Sequence, residues 1–163
     1  QISNRLNSDL RILFYKEYKI ADTVRPRLKE LLGVDIMEDE IGYIALHVHS
    51  SIQDEKVSVS MQMAMVVREC VTLIEEQVGR KIDILSLDYN RLMNHIKFMF
   101  ARAINNETLK LDMNAYIKMN YPKAYEIAEI VCGHIVKALQ KPLEEIEIGY
   151  LALHVQRALM KEN

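Results

Sequence analysis

The sequence predicts an all-α chain, and three observations carry that prediction. Half of the 163 residues are hydrophobic, Gly and Pro number 5 and 3, and Trp is absent. Leu, Ile, Met, Ala, Glu and Lys dominate, a composition that leans towards helix. Apolar residues recur at helical spacing along most of the chain. Finally, residues 40–48 read EIGYIALHV and residues 147–155 read EIGYLALHV, so that only Ile44 and Leu151 differ. Continued backwards without a gap, the same offset of 107 pairs YKIADTV, from Tyr18, with YEIAEIV, from Tyr125, and pairs Leu32 with Leu139 and Glu38 with Glu145. A repeat of this length is a domain rather than a solenoid unit. The prediction is therefore two tandem helical bundles, the first truncated at its N-terminus: residues 1–54 form the later half of a first copy, and 57–163 a complete second copy. The front half of the first copy is expected before Gln1, which marks the chain as an excised fragment.

Taken in order, the spacing predicts helices over 3–17, 19–32, 38–52, 59–78, 88–105, 112–119, 122–139 and 142–161. Gly33 and Gly79 stand where helices should stop. Pro26 falls inside a helical pattern and is expected to kink that helix or move its start. Glu38, Asp39 and Glu40 open one repeated helix, and Glu144 and Glu145 the other, each complementing the helix dipole. The polar run Ser50–Lys56 reads as the linker between copies. Asp88 is the expected N-cap of its helix, and Pro142 suits the first turn of the last one. Lys81–Ile84 resembles a strand but is too short, without a partner, to be one.

Several function classes fall away on composition. The formal net charge is -2 and no basic run exists, so the chain lacks a dedicated nucleic-acid surface. Cys70 and Cys132 are far apart with no CxxC pattern and read as reduced, buried thiols. No stretch is expected to reach transmembrane length and no signal peptide is visible, which points to the cytoplasm. No Gly-rich phosphate loop, Ser-His-Asp order, carboxylate pair or metal-ligand spacing stands out, so neither an enzyme, a cofactor nor a metal is expected. Met61, Met63 and Met65 read as packing rather than a cofactor box.

The candidate chemistry lies in the histidines. His47 and His154 occupy the same position in the two copies. On the last helix, Leu143, Ile146, Tyr150 and Leu153 make one apolar row, and Ile148, Leu151, Val155 and Leu159 another; such a helix is central or at an interface. Arg157 follows His154 at i+3, where a guanidinium can grip a phosphoryl group. His95 flanks a core stripe of Tyr89, Leu92, Met93, Ile96, Met99, Phe100 and Ala103. Arg91 and Arg102, at i−4 and i+7, lie on its side, and each should disfavour the imidazolium and keep a neutral nucleophile. Spacing alone leaves a duplicated core histidine equally open. His134 reads as a surface residue, and His47 and His49 point to different sides of their helix, a poor chelate.

These residues, EIGYIALHV, EIGYLALHVQR and the upstream YNRLMNHIKFMFAR, resemble the phosphotransferase-system regulation domains of BglG/LicT-type transcriptional antiterminators. The resemblance covers nearly the whole chain. It implies histidine phosphorylation by HPr and a sugar permease, at His95 and His154 of the second domain and at His47 of the first, with Arg91, Arg102 and Arg157 as phosphate supports. It further implies a homodimer whose packing responds to phosphate, and RNA binding only through an N-terminal domain missing from this chain. Similar domains in DNA-binding activators of sugar operons are the alternative, and a phosphohistidine carrier enzyme a weaker one. Ser50 stands where the second copy has Arg157, so His47 lacks that partner.

Overall fold

A computed structural model of the chain describes residues 4–160. The predicted helix limits at residues 3 and 161 therefore lie outside the described residues. All regular structure within the described span is helical: α1 Asn4–Leu13, α2 Tyr15–Leu32, α3 Glu38–Gln53, α4 Val57–Val78, α5 Leu87–Asn105, α6 Asn114–Asn120, α7 Pro122–Leu139 and α8 Ile146–Leu159. The chain divides into two compact units, Gln1–Met65 and Val66–Asn163, and the division falls inside α4.

In the first unit α1, α2 and α3 pack on one another around Tyr18, Ala21, Ile41 and Ala45, with Leu10, Leu13, Phe14 and Leu46 also buried. In the second, α8 packs against α5, α6 and α7. The repeat is visible in the elements themselves. α2 spans 15–32 and α7 spans 122–139, so both ends keep the offset of 107. Both α3 and α8 need a glycine at the same point. A Cβ on Gly42 would meet Asn7 Oδ1 at 2.7 Å, and one on Gly149 would collide with Asn114 Oδ1. Asn7 and Asn114 are themselves 107 residues apart.

Most helix ends follow from local chemistry. Gly33 closes α2 at φ 68°, donating its N–H to Lys29, and Gly79 follows α4 at φ 76°; both conformations favour glycine. Residues 81–83 carry no regular structure, so the strand-like stretch is not a strand. Four boundaries correct the sequence reading. The N-cap of α5 is Ser86, whose Oγ accepts from Tyr89 N at 3.1 Å; Asp88 sits in the first turn instead, where it favours the dipole. The first break falls at Phe14 (φ −119°, ψ 46°) rather than near residue 18, and the Phe14 ring there is fully buried and packs on His49. Pro26 neither starts nor ends a helix: it lies within α2 on an exposed face, where water can hydrate the carbonyl left without a donor.

The fourth boundary is the start of α8. Pro142 lies outside it, and the helix begins at Ile146. Asn114 Nδ2 holds the Glu145 carbonyl at 2.7 Å and Asn114 Oδ1 accepts from Gly149 N at 2.9 Å, fixing the first turn there. Glu144 and Glu145 thus precede the helix, and Glu147 is its acidic first-turn residue.

The linker is shorter than the polar run predicts. α3 continues to Gln53, and only Asp54–Lys56 intervene before α4. Ser50 is buried, donating to the Leu46 carbonyl and sharing a 2.8 Å hydrogen bond with Ser60. A further correction concerns α4. At 22 residues it is long and apolar enough, by length and composition, to cross a membrane, where no such stretch was expected. It carries buried Glu75 and Ser60 together with buried Val67, Val71 and Ile74, which are features of a core helix.

Candidate functional site

Two antiparallel helices of the second unit build the site. His95 projects from α5 and His154 from α8, and their rings stack with centroids 4.3 Å apart and planes 29° off parallel. Seven residues further along α5, Arg102 meets Glu147, which is seven residues back along α8. These are two rungs of one ladder, two turns apart, or about 10.5 Å along the helix axis. The core stripe holds α5 in this orientation: Tyr89, Leu92, Met93, Ile96, Met99 and Phe100 are all buried, as the spacing predicts, while Ala103 is half-buried. On α8 the second apolar row supplies buried Leu151 and Val155. Ile146, Tyr150 and Leu153 of the first row are half-buried, and Leu143 lies before the helix.

Both imidazoles are half-buried and both are pushed towards the neutral form. His95 falls to about 3, chiefly through burial, then through His154 and Arg102. The expected arginine effect is present, but desolvation leads it. His154 is lowered by burial first, then by Arg157 and Arg91, with Asp88 pulling the other way. His95 Nε2 and His154 Nδ1 are buried without a hydrogen-bond partner. Two charged rings at this separation would repel strongly. The site is therefore a pair of neutral imidazoles, each with a lone pair able to attack an electrophilic phosphorus.

The three arginines have different surroundings. Arg157 and Arg91 are exposed and both act on His154, whereas the sequence grouped Arg91 with His95. Arg91 lies 3.6 Å from Asp88. Beside them, Arg80, Lys81, Asp83, Ser86, Asp88 and Arg157 line a cavity of about 410 Å³. Arg80 donates to the Ala158 and Met160 carbonyls at the end of α8. Arg102 is engaged with Glu147 through two parallel hydrogen bonds, Nε–Oε1 at 2.6 Å and Nη2–Oε2 at 2.8 Å. Glu147 is a residue the sequence reading missed. The motif alone did not single it out, since Glu40, the same position in the first copy, is exposed and accepts from Met37 N at the start of α3.

The remaining histidines separate cleanly. His47 is exposed on α3, beside a shallow groove lined by Ile44, Val48, Ser51 and Ile52. His134 is half-exposed and 2.9 Å from Glu69. His49, which the sequence reading treated only as a poor chelate partner, is buried: its Nδ1 is 2.9 Å from Glu17 Oε1 and its ring packs 4.5 Å from that of Phe14. Cys70 and Cys132 are free and buried, and burial pushes their thiols up, that of Cys132 to about 12. Among the described residues, no group of three or more His, Cys, Asp or Glu could hold a metal ion.

An all-α chain with a repeated helix that carries a histidine in each copy, and an arginine-flanked histidine pair in the second, defines a class of regulatory domain. The PRD domain family matches residues 1–51 and 68–158, and the chain belongs to that family. It is similar to Protein GlcT of Staphylococcus saprophyticus, 33% identical over 156 residues, covering 94% of this chain and 56% of the relative. It is also similar to the PtsGHI operon antiterminator of Bacillus subtilis, 33% identical over 151 residues (91% and 54%). The GlcA/glcB genes antiterminator of Staphylococcus carnosus is 30% identical over 156 residues (94% and 54%). The chain spans about half the length of the curated relatives it matches.

Proposed function

We propose that this chain is the regulatory region of a sugar-responsive transcriptional antiterminator, without catalytic activity of its own. HPr and a sugar permease of the phosphotransferase system phosphorylate His95 and His154, and His47 in the first copy. The phosphoryl group shifts the packing of a homodimer and so the RNA binding of an N-terminal domain. Residues 1–54 act as the later half of one regulation domain and 57–163 as a second. The observation that carries this reading is the stacked, neutral His95–His154 pair with Arg91 and Arg157 beside it. Two of the relatives are named as antiterminators, which favours RNA over DNA as the downstream target.

A phosphoryl group brings roughly -1.5 to -2 charges, by analogy with phosphoserine, and several strong acceptors. Next to Arg157 and Arg91 it gains charge-assisted hydrogen bonds; against a symmetry mate it repels. The two outcomes favour different packings, so phosphate biases an existing equilibrium rather than creating a fold. Solution scattering and sedimentation on His95→Asp and His154→Asp test this. The proposal expects a changed mass or shape in at least one variant. Identity with the wild type across a wide concentration range contradicts it.

A further inference from the structure

The two stacked rings are turned in opposite senses. In His95 the closed-in nitrogen is Nε2, the distal tip of the ring; in His154 it is Nδ1, the nitrogen nearest the backbone. The other two, His95 Nδ1 and His154 Nε2, are not among the buried atoms lacking a partner. One face of each ring is also covered by the other. A tetrahedral phosphoryl group with three hydrated oxygens cannot be built on a nitrogen sealed between packed helices without opening them. One nitrogen of each ring is thereby ruled out, and the two excluded nitrogens differ.

We propose that His95 carries its phosphoryl group on Nδ1 and His154 on Nε2, so that this one site holds two chemical isomers of phosphohistidine. Arg157 and Arg91 both act electrostatically on His154, so a phosphoryl group there has guanidinium charge nearby. The His95 assignment is the sharper of the two. On a freely accessible ring Nε2 is the less crowded nitrogen, and His95 reverses that preference because its tip is buried.

The step balances for a phosphoramidate donor. The N–P bond of the donor breaks and ammonia leaves with its electron pair. The lone pair of the open ring nitrogen forms the new N–P bond, and the proton on the other ring nitrogen passes to solvent as the phosphorylated ring returns to its neutral form. His95 must then react as the Nε2–H tautomer and His154 as the Nδ1–H tautomer.

The inference rests on the phosphorylation reading above for its biological donor, but its chemistry does not need one. The test treats the full chain, and the variants His154→Phe and His95→Phe, with potassium phosphoramidate. Phenylalanine keeps a ring in the stack while removing its nitrogens. Label is read with antibodies specific for each phosphohistidine isomer and located by peptide mapping, with exposed His47 as an internal reference for the Nε2 isomer. Expected is about a tenfold excess of the Nδ1 isomer at His95, and of the Nε2 isomer at His154. The same isomer at both positions, swapped isomers, or no label at either while His47 reacts overturns the proposal. A second arm uses phosphoenolpyruvate, enzyme I and HPr. If HPr leaves both rings unlabelled while phosphoramidate gives the split, the donor reading fails and the nitrogen assignment stands.

Discussion

His95 has a second imidazole 4.3 Å away and sits in a half-buried slot, so protonating it costs the folded state more than the unfolded chain. Its affinity for a proton is lowered to about 3 from an ordinary 6.5. Between those values the unfolded chain binds more protons, so this contribution to stability is complete above about pH 6.5 and is lost as the pH falls towards 3. The slope is on the order of 1 kcal/mol per pH unit. Urea midpoints measured from pH 7 to 4 should therefore fall more steeply for the wild type than for His95→Phe, which cannot titrate; parallel curves would show that His95 is not held neutral. Arg102 and Glu147 make the second residue-scale case. Removing Arg102 strands the buried Glu147 carboxylate and should cost about 3–5 kcal/mol, removing Glu147 leaves the half-buried Arg102 and should cost less, and replacing both by Met should recover much of the loss. Chemical denaturation of the two single variants and the double variant measures this. The histidines and arginines of the candidate site were legible in the sequence as residue types, because they lie on recognisable faces. It did not show that Arg102 is committed to Glu147, since that pairing links positions 45 apart and depends on the antiparallel register of α5 and α8.

At the scale of elements, polar side chains decide where helices begin. Ser86 caps α5 through its Oγ, so Ser86→Ala should cost about 1 kcal/mol and lower the melting temperature, while Asp88→Ala, a first-turn change, should cost less. The reverse order in a thermal melt would assign the cap to Asp88 after all. Asn114 fixes the start of α8 from a different helix, and Gly149 is required because a Cβ there collides with it. Gly149→Ala should destabilise, and Asn114→Gly should relieve that second substitution; an additive pair would deny the contact. Helix existence was legible from apolar periodicity, and the ends at Gly33 and Gly79 from residue type. The start of α8 was not, because Pro142 obeys a local rule that a distant asparagine overrides. The Asn7–Gly42 and Asn114–Gly149 pairs could have been found in the sequence by carrying the offset of 107 back beyond Tyr18.

At the scale of the molecule, the repeated helix meets different surroundings in the two copies. In the first copy α3 presents an exposed His47 with Ser50 buried behind it; in the second, α8 presents a half-buried His154 with Arg157 outward. The repeated motif thus lies in two environments: α5 packs on α8 in the second copy, and among the described residues the first copy has no counterpart of α5. The repeat made the all-α class and the paired positions legible early, while the stacking of His95 on His154 needed the packing of α8 against α5. The account stands or falls on whether those two rings accept phosphate from the phosphotransferase system. The direct measurement is labelling by phosphoenolpyruvate, enzyme I and HPr, or by the permease component, followed by brief acid treatment and peptide mapping. Acid-labile phosphate at His95 or His154, lost from residues 57–163 in the His95→Phe, His154→Phe double variant, is the result expected. Labelling of that segment that is unchanged in the double variant would contradict it.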